Sequence, residues 1–346
     1  MTEADAGPQA SERAPSMRAA FASRYGPPEV VSIRTVERPT PTADEVLIRV
    51  RAASVNRADL DGLKPKPGFL RLFMGIRRPR NPALGIDAAG VVEAIGPEVT
   101  RFKPGDDVMT DLFAAGRAGA FAEYVCARQK AFEPMPAGMS FEDAAALPHS
   151  AVLALQGMRM RNGRTFSSGD RVLIDGASGN VGPFAVQIAK AMGAEVTGVA
   201  SADKLDFVRS LGADHVIDYR LDDDLGAGER GYDVIIDTGG NRPLRVLRRA
   251  LTPTGTLVLV GAETGGRWLG GTDRQLRAMV LSRFVRQRLR TFIASEKAAD
   301  LLALSALVES GAVTPVVDRT FPLAETPAAI RHMREGKARG KVVIDV

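Results

Sequence analysis

The chain has 346 residues, 45% of them hydrophobic and 25% charged, with a net charge of +5. That length and balance exclude a wholly disordered chain and allow two domains with cores of their own. A single cysteine, Cys126, excludes an internal disulfide framework, and with only His149, His215 and His332 beside it the stock of transition-metal ligands is poor.

Residues 1–16 mix Pro, Ser, Ala and both charge signs without an apolar run, so they read as a disordered tail and not as a secretory signal. No uninterrupted apolar stretch reaches the ~18 residues of a membrane span, and a cytoplasmic protein with no membrane partner is expected. The arginines fall in short groups (Arg77, Arg78 and Arg80; Arg286, Arg288 and Arg290) with no zinc-finger spacing or aromatic RNA-binding motif. They are expected to be solvated surface, with no nucleic-acid partner. In Glu45 to Ala53, Val46, Ile48 and Val50 alternate with Leu47, Arg49 and Arg51, the period of a half-buried strand. Further short strands separated by Gly and Pro turns, such as Lys103-Pro104-Gly105-Asp106, predict a small barrel-like domain.

The pattern changes near Ser140, which with Asp143 offers a cap for a helix through Ala144 to Leu147. From Arg171 onward, short apolar strands (Val172 to Ile174, Val196 to Ala200, Val216-Ile217, Val234 to Ile236, Leu257 to Val260) alternate with helices around Phe184 to Met192, Lys204 to Leu211 and Pro243 to Leu251. Strands apolar at successive positions are buried on both faces, which predicts a parallel sheet between layers of helices. The fold class is therefore α/β. A strand pattern in Arg283 to Ser295 predicts a sheet edge that needs covering, and hence a homodimer. A helix over Ala299 to Glu309 and strands near Val316 and Val342 then lead back to the first domain.

The strongest local signal is Val172-Leu173-Ile174-Asp175-Gly176-Ala177-Ser178-Gly179-Asn180-Val181-Gly182-Pro183. A buried strand enters a glycine-spaced turn and a helix follows, the arrangement that brings backbone amides and a helix dipole to a pyrophosphate. Ala177 stands where the first glycine of the dinucleotide fingerprint is expected; Gly179 and Gly182 keep the rest. The second strand ends in Val199-Ala200-Ser201 without the carboxylate that would hold a ribose 2′-hydroxyl. Ser201 and Lys204 are available to a 2′-phosphate, so NADP is expected over NAD, with Asp203 the contrary sign. The plainer reading is that Ser201 caps the next helix and Lys204 is exposed.

Tyr25-Gly26-Pro27-Pro28-Glu29-Val30, Leu84-Gly85-Ile86-Asp87-Ala88-Ala89-Gly90, Phe102-Lys103-Pro104-Gly105-Asp106, Gly119-Ala120-Phe121-Ala122-Glu123-Tyr124-Val125 and Arg339-Gly340-Lys341-Val342-Val343 together resemble the medium-chain dehydrogenase/reductase superfamily over residues 17–346. The resemblance implies a GroES-like β-barrel-type catalytic domain (17–141 and 296–346) and a Rossmann doubly wound parallel-sheet cofactor domain (142–295). Metal-dependent members carry a zinc-ligand cysteine where this chain has Asn56, and a Gly-His-Glu motif where it has Gly85-Ile86-Asp87. With one cysteine neither the catalytic nor the structural zinc site assembles in its usual form. The resemblance is thus to the zinc-free, quinone-oxidoreductase-like branch.

That branch implies an enzyme in which hydride from NADPH reduces a substrate already activated by conjugation, a quinone or an α,β-unsaturated carbonyl. By resemblance Asn56 faces the nicotinamide, with a structural turn amide as the alternative. His149 lies near the family's third zinc position and either supplies the proton or is a domain-hinge histidine. Tyr219 packs against the adenosine phosphate or in the core. Gly239, Gly240, Val260 and Gly261 follow later strands at their carboxyl ends, where parallel sheets bind ligands, and Lys341 lies in the closing motif, an ordinary surface lysine by default. The loop Lys64 to Arg80 is basic and has Phe69 and Phe73 but no tyrosine, which disfavours the alternative of a 2-enoyl-thioester reductase. Specificity is expected from this loop and from Gly265 to Gln287. A non-catalytic NADPH-binding sensor or structural protein is the remaining alternative.

Overall fold

The architecture follows from a computed structural model that describes residues 15–65, 68–113, 116–159, 168–222, 224–225, 231–261, 271–291 and 298–346. The first strands are β1 (Ser16–Ala22), β2 (Val31–Glu37) and β3 (Glu45–Val55), followed by helices α1 (Arg57–Leu63) and α2 (Arg71–Met74). Then come β4 (Asp87–Ile95), β5 (Asp107–Asp111), β6 (Tyr124–Arg128) and β7 (Phe132–Pro134). Two strands from late in the chain, β14 (Val317–Pro322) and β15 (Lys341–Asp345), return to this domain. β1 and β2 form an antiparallel pair, and the others join a larger sheet in the order β14-β15-β3-β4-β5-β7, with β6 also on β3. Val46, Ile48 and Val50 of β3 point into one core with Phe121 and Phe132, as their alternation predicts. Leu47 departs from the pattern: it is buried too, while Arg49 and Arg51 stay exposed.

β1 begins within the segment read as a tail, Ser16 pairing with Glu37; residues 1–14 of that segment lie outside the described residues. The Ser140 hydroxyl accepts from the Asp143 amide at 3.1 Å and so caps α3 (Phe141–Ala146). Helix α4 (Pro148–Arg159) follows and leads to the parallel sheet.

That sheet holds β8 (Arg171–Asp175), β9 (Glu195–Ala200), β10 (His215–Asp218), β11 (Tyr232–Asp237), β12 (Leu251–Leu259) and β13 (Arg288–Thr291). The order β10-β9-β8-β11-β12-β13 is parallel throughout, with β13 at one edge. Its helices include α5 (Gly182–Ala191), α6 (Leu205–Ser210), α7 (Leu244–Ala250) and α8 (Thr272–Leu281); α9 (Ala298–Glu309) and α10 (Thr326–Arg334) complete the set. The apolar runs are explained strand by strand: Val172 and Ile174 enter one core while Leu173 enters another, and Val234, Ile236 and Ile235 divide the same way. Among the described residues no helix is long and apolar enough to cross a membrane.

Candidate active site

β8 and β11 are neighbours whose following segments turn to opposite sides of the sheet, the switch point at which doubly wound folds bind ligands. A cleft of about 1260 Å³ opens there, lined at its centre by Gly176, Ser178, Gly179, Asn180 and Val181 and on its far wall by Gly239, Val260 and Gly261. Gly176 has φ +87°, and a Cβ on it would stand 2.5 Å from Thr238 Oγ1. Gly182 does not line the cleft; a Cβ there would meet the Gly176 carbonyl oxygen at 2.3 Å, so its absence lets α5 seat against the turn. Helix α5 begins with no side-chain cap, which leaves its first amides to an anion. Ala177, in place of a glycine, fits because its methyl group faces Gly198 of β9; a Cβ on Gly198 would lie 3.2 Å from it. Gly240 sits behind the wall, its amide donating to Asp237 Oδ1 at 2.8 Å.

At one end of the cleft stand Ser201, Lys204 and Tyr219. Lys204 is not exposed: burial lowers its pKa, and its Nζ donates to the carbonyls of Gly336 and Ala338, both at 2.6 Å. Ser201 precedes a 3-10 turn, Ala202–Lys204, and gives it no side-chain cap; instead its hydrogen bond to Asp203 holds that carboxyl below the usual range. Tyr219 is 45% exposed and so is not core packing. Sequence reasoning missed two cations at this end. Arg220 stacks its guanidinium 5.4 Å from the Tyr219 ring centre, and Arg339 Nη2 donates to the Asp203 carbonyl at 3.0 Å. Their adjacency to Tyr219 and to the closing motif was the available signal.

At the other end the cleft is lined by Arg57, Leu60 and Leu153, and a buried polar cluster lies behind it. Asn56 Nδ2 donates to Asp87 Oδ2 at 2.9 Å and to the Ser54 carbonyl at 3.2 Å. Asn56 Oδ1 accepts from Lys341 Nζ at 2.6 Å and from Ser150 Oγ at 3.3 Å. Both ends of the amide are thus committed, and Asn56 does not line the cleft. Lys341 is a correction to the surface reading: it is 0% exposed, because β15 is inserted between β14 and β3 and carries its first side chain inside. Its ammonium also donates to Ser150 Oγ at 3.1 Å and lies 3.6 Å from Asp87.

Asp59 caps α1 by accepting from the Asn56 amide at 2.7 Å, and it also accepts from the Gly85 amide at 3.1 Å. Burial pushes Asp59 up to about 7, and pushes Asp87 up to about 6 against the pull of Lys341. Burial lowers the Lys341 ammonium. His149, the second residue of α4, has Nδ1 2.8 Å from Asp111 Oδ2 and its ring edge-on to Phe113. Burial pulls its pKa down, but the Asp111 hydrogen bond and the charges of Asp111 and Asp87 prevail and raise it.

Two bonds tie this cluster to the turn: Asn180 Nδ2 donates to the Val55 carbonyl at 3.0 Å, and the Gly340 amide to the Ser178 carbonyl at 3.1 Å. Among the described residues no three His, Cys, Asp or Glu side chains converge as a metal site. Residues 265–270 of the second expected specificity loop lie outside the described residues; its later part is α8.

The alcohol dehydrogenase GroES-like domain family matches residues 42–137, and the zinc-binding dehydrogenase family matches residues 211–344. The mitochondrial NAD(P)H oxidoreductase of Mus musculus is 34% identical over 88% of this chain and 82% of its own length. The chloroplast envelope quinone oxidoreductase homolog of Arabidopsis thaliana is 30% identical over 89% and 91%. Among solved structures, the quinone oxidoreductase from Coxiella burnetii superposes with TM-score 0.81 at 28% identity, covering 96% of this chain and 100% of its own. The CurK enoyl reductase gives TM-score 0.80 at 26% identity over 95% and 99%. A barrel at one wall of the cleft, a dinucleotide turn at its floor and relatives aligned through both make this chain a nicotinamide-dependent oxidoreductase that belongs to the medium-chain dehydrogenase/reductase superfamily, in its quinone-oxidoreductase-like branch.

Proposed function

We propose that the protein uses NADPH, without zinc, to reduce a quinone or an α,β-unsaturated carbonyl compound. The observation that carries this reading is the Lys341–Asn56–Asp87 cluster. Where metal-dependent relatives hold zinc, this chain has an amide with no free donor or acceptor, the apolar Ile86, and a buried ammonium that repels a divalent cation. Those residues do not fit zinc, so the substrate must need no Lewis acid.

A nicotinamide dinucleotide fits the cleft. The Gly176–Gly182 turn and the start of α5 suit the pyrophosphate. Ser201, Lys204 and Tyr219, with Arg220 and Arg339 beside them, favour a 2′-phosphate, and the Asp203 carboxyl at that end is already engaged by Ser201. When bound, the nicotinamide supplies hydride to the substrate. His149 is the proton source in this reading: the Asp111 hydrogen bond and the nearby carboxylates favour its charged form, and it shares a helix face with Leu153, which lines the cleft. Asn56 acts as a positioning residue for the strand end that Asn180 grips. Relatives named quinone oxidoreductase support the acceptor class. A thioester-specific enoyl reduction finds less support, because the tyrosine packed on the 64–80 loop, Tyr25, commits its hydroxyl to the Gly75 carbonyl at 2.7 Å.

The pairing of two copies is part of the same proposal. β13 is an edge strand, and Leu276, Met279, Val280 and Phe284 beside it are exposed.

The test is NADPH oxidation, with NADH alongside, by EDTA-treated protein against a panel of quinones and enones. Turnover that prefers NADPH and ignores added zinc is expected. Zinc-stimulated alcohol oxidation would overturn the reading, and tight NADPH binding with no turnover on any acceptor would favour a sensor.

A further inference from the structure

From residue 62 to residue 86 the chain carries six basic residues, Lys64, Lys66, Arg71, Arg77, Arg78 and Arg80, and no acidic one. Inside that stretch Leu72, Phe73 and Ile76 are 61%, 68% and 67% exposed. Single exposed apolar side chains are ordinary; three within five positions, framed by exposed arginines, form a patch.

The backbone keeps the patch together. The Gly75 amide donates to the Arg71 carbonyl at 2.9 Å, and the Arg80 amide returns to the Met74 carbonyl at 2.7 Å, so the tip from Ile76 to Pro79 is a closed loop beside α2. Tyr25 fastens it to the barrel through its hydroxyl on Gly75, and Arg71 lies over the Tyr25 ring at 4.9 Å. Among the described residues none of Arg71, Arg77, Arg78 and Arg80 forms an ion pair with a carboxylate.

We propose that this loop docks the protein on an anionic lipid surface, with Leu72, Phe73 and Ile76 entering the boundary between headgroups and acyl chains and the arginines meeting lipid phosphates. Apolar side chains ringed by uncompensated cations match that interface in both polarity and charge. A second copy is the poorer occupant, because a two-fold contact through this loop sets like charges against each other. The loop follows directly on α1, whose Arg57 and Leu60 line the cleft, so docking brings the cleft mouth beside the bilayer.

The test is co-sedimentation of the full chain with phosphatidylcholine vesicles, with and without phosphatidylglycerol, at rising salt. Binding is expected only with the anionic lipid, weakening as salt screens the charges. Reversing Arg77 and Arg78 to Glu should weaken it by ~fivefold or more per arginine, and Phe73→Asp should abolish it, with NADPH binding and thermal midpoint confirming that each variant folds. No binding to anionic vesicles overturns the proposal. So does binding that survives both variants, since that would be the work of net charge elsewhere. Self-association lost in Phe73→Asp, with no vesicle binding by the parent, would assign the patch to a second copy instead.

Discussion

Replacing Lys341 by Met removes a buried ammonium while keeping most of its volume. Its three contacts, Asn56 Oδ1, Ser150 Oγ and Asp87, all lie in the interior. Removing one partner of a buried ion pair costs about 3–5 kcal/mol, mostly because the other charge is stranded. Here that charge has an escape. Asp87 already titrates at about 6, and without Lys341 its carboxyl moves higher still, so at low pH it is neutral and nothing is stranded. The destabilisation measured by urea unfolding should therefore be large near pH ~8 and small near pH ~5.5. Adding Asp87→Asn to Lys341→Met should recover much of the loss at the higher pH only. The parent protein has a related slope. The folded pKa values of Asp59 and Asp87 are raised, so their contribution is fully present below the ordinary carboxylate range and is lost as pH rises through about 6 and 7. A Lys341→Met cost that is equal at both pH values, or no recovery in the double variant, would refute the account of the cluster as a charge-compensated unit.

Gly182→Ala places a methyl against the backbone of Gly176 and Ala177, at 2.3 to 2.6 Å before any relaxation. Overpacking of about 1–3 kcal/mol should appear as weaker NADPH binding in a fluorescence titration, whereas Gly179→Ala, whose nearest neighbour is at 3.5 Å, should keep its fold. Substituting Arg220 and Arg339 by Ala should lower kcat/KM for NADPH roughly tenfold while sparing NADH, the scale of one lost hydrogen bond to a charged group; equal losses with both cofactors would remove them from the 2′-phosphate site. Sedimentation should give a dimer mass that Val280→Glu with Phe284→Glu converts to a monomer.

The parallel sheet was legible because its central strands carry runs of successive apolar residues such as Val172 to Ile174 and Val234 to Ile236, and the dinucleotide turn because its glycines follow such a run. The cluster behind the cleft was not. It is assembled from Ser54, Asn56, Asp59, Asp87, Ser150 and Lys341, which meet only once β3 pairs with β4 and β15 and the helices α1 and α4 bring in Asp59 and Ser150. Nothing local tells Lys341 from a surface lysine until β15 is known to lie between two other strands. The substitution of Ala177 for a glycine was visible, but its compensation by Gly198 depends on the pairing of β8 with β9. The exposed Phe73 and Ile76 carry no periodicity that separates them from core residues.

The insertion of β15 beside β3 also orders events during synthesis. Val342 pairs with Val55 and Val343 with Ser54, so the barrel strand made early waits for a partner made much later. All six strands of the parallel sheet leave the ribosome before β15 does. Until then β3 offers an unpaired edge along its last residues, and Asn56 and Asp87 have no cation. The nascent chain thus holds a nearly finished cofactor fold joined to an open sheet, the kind of intermediate that aggregates or recruits a chaperone. Closing the barrel and burying Lys341 are then one late event that follows the parallel sheet.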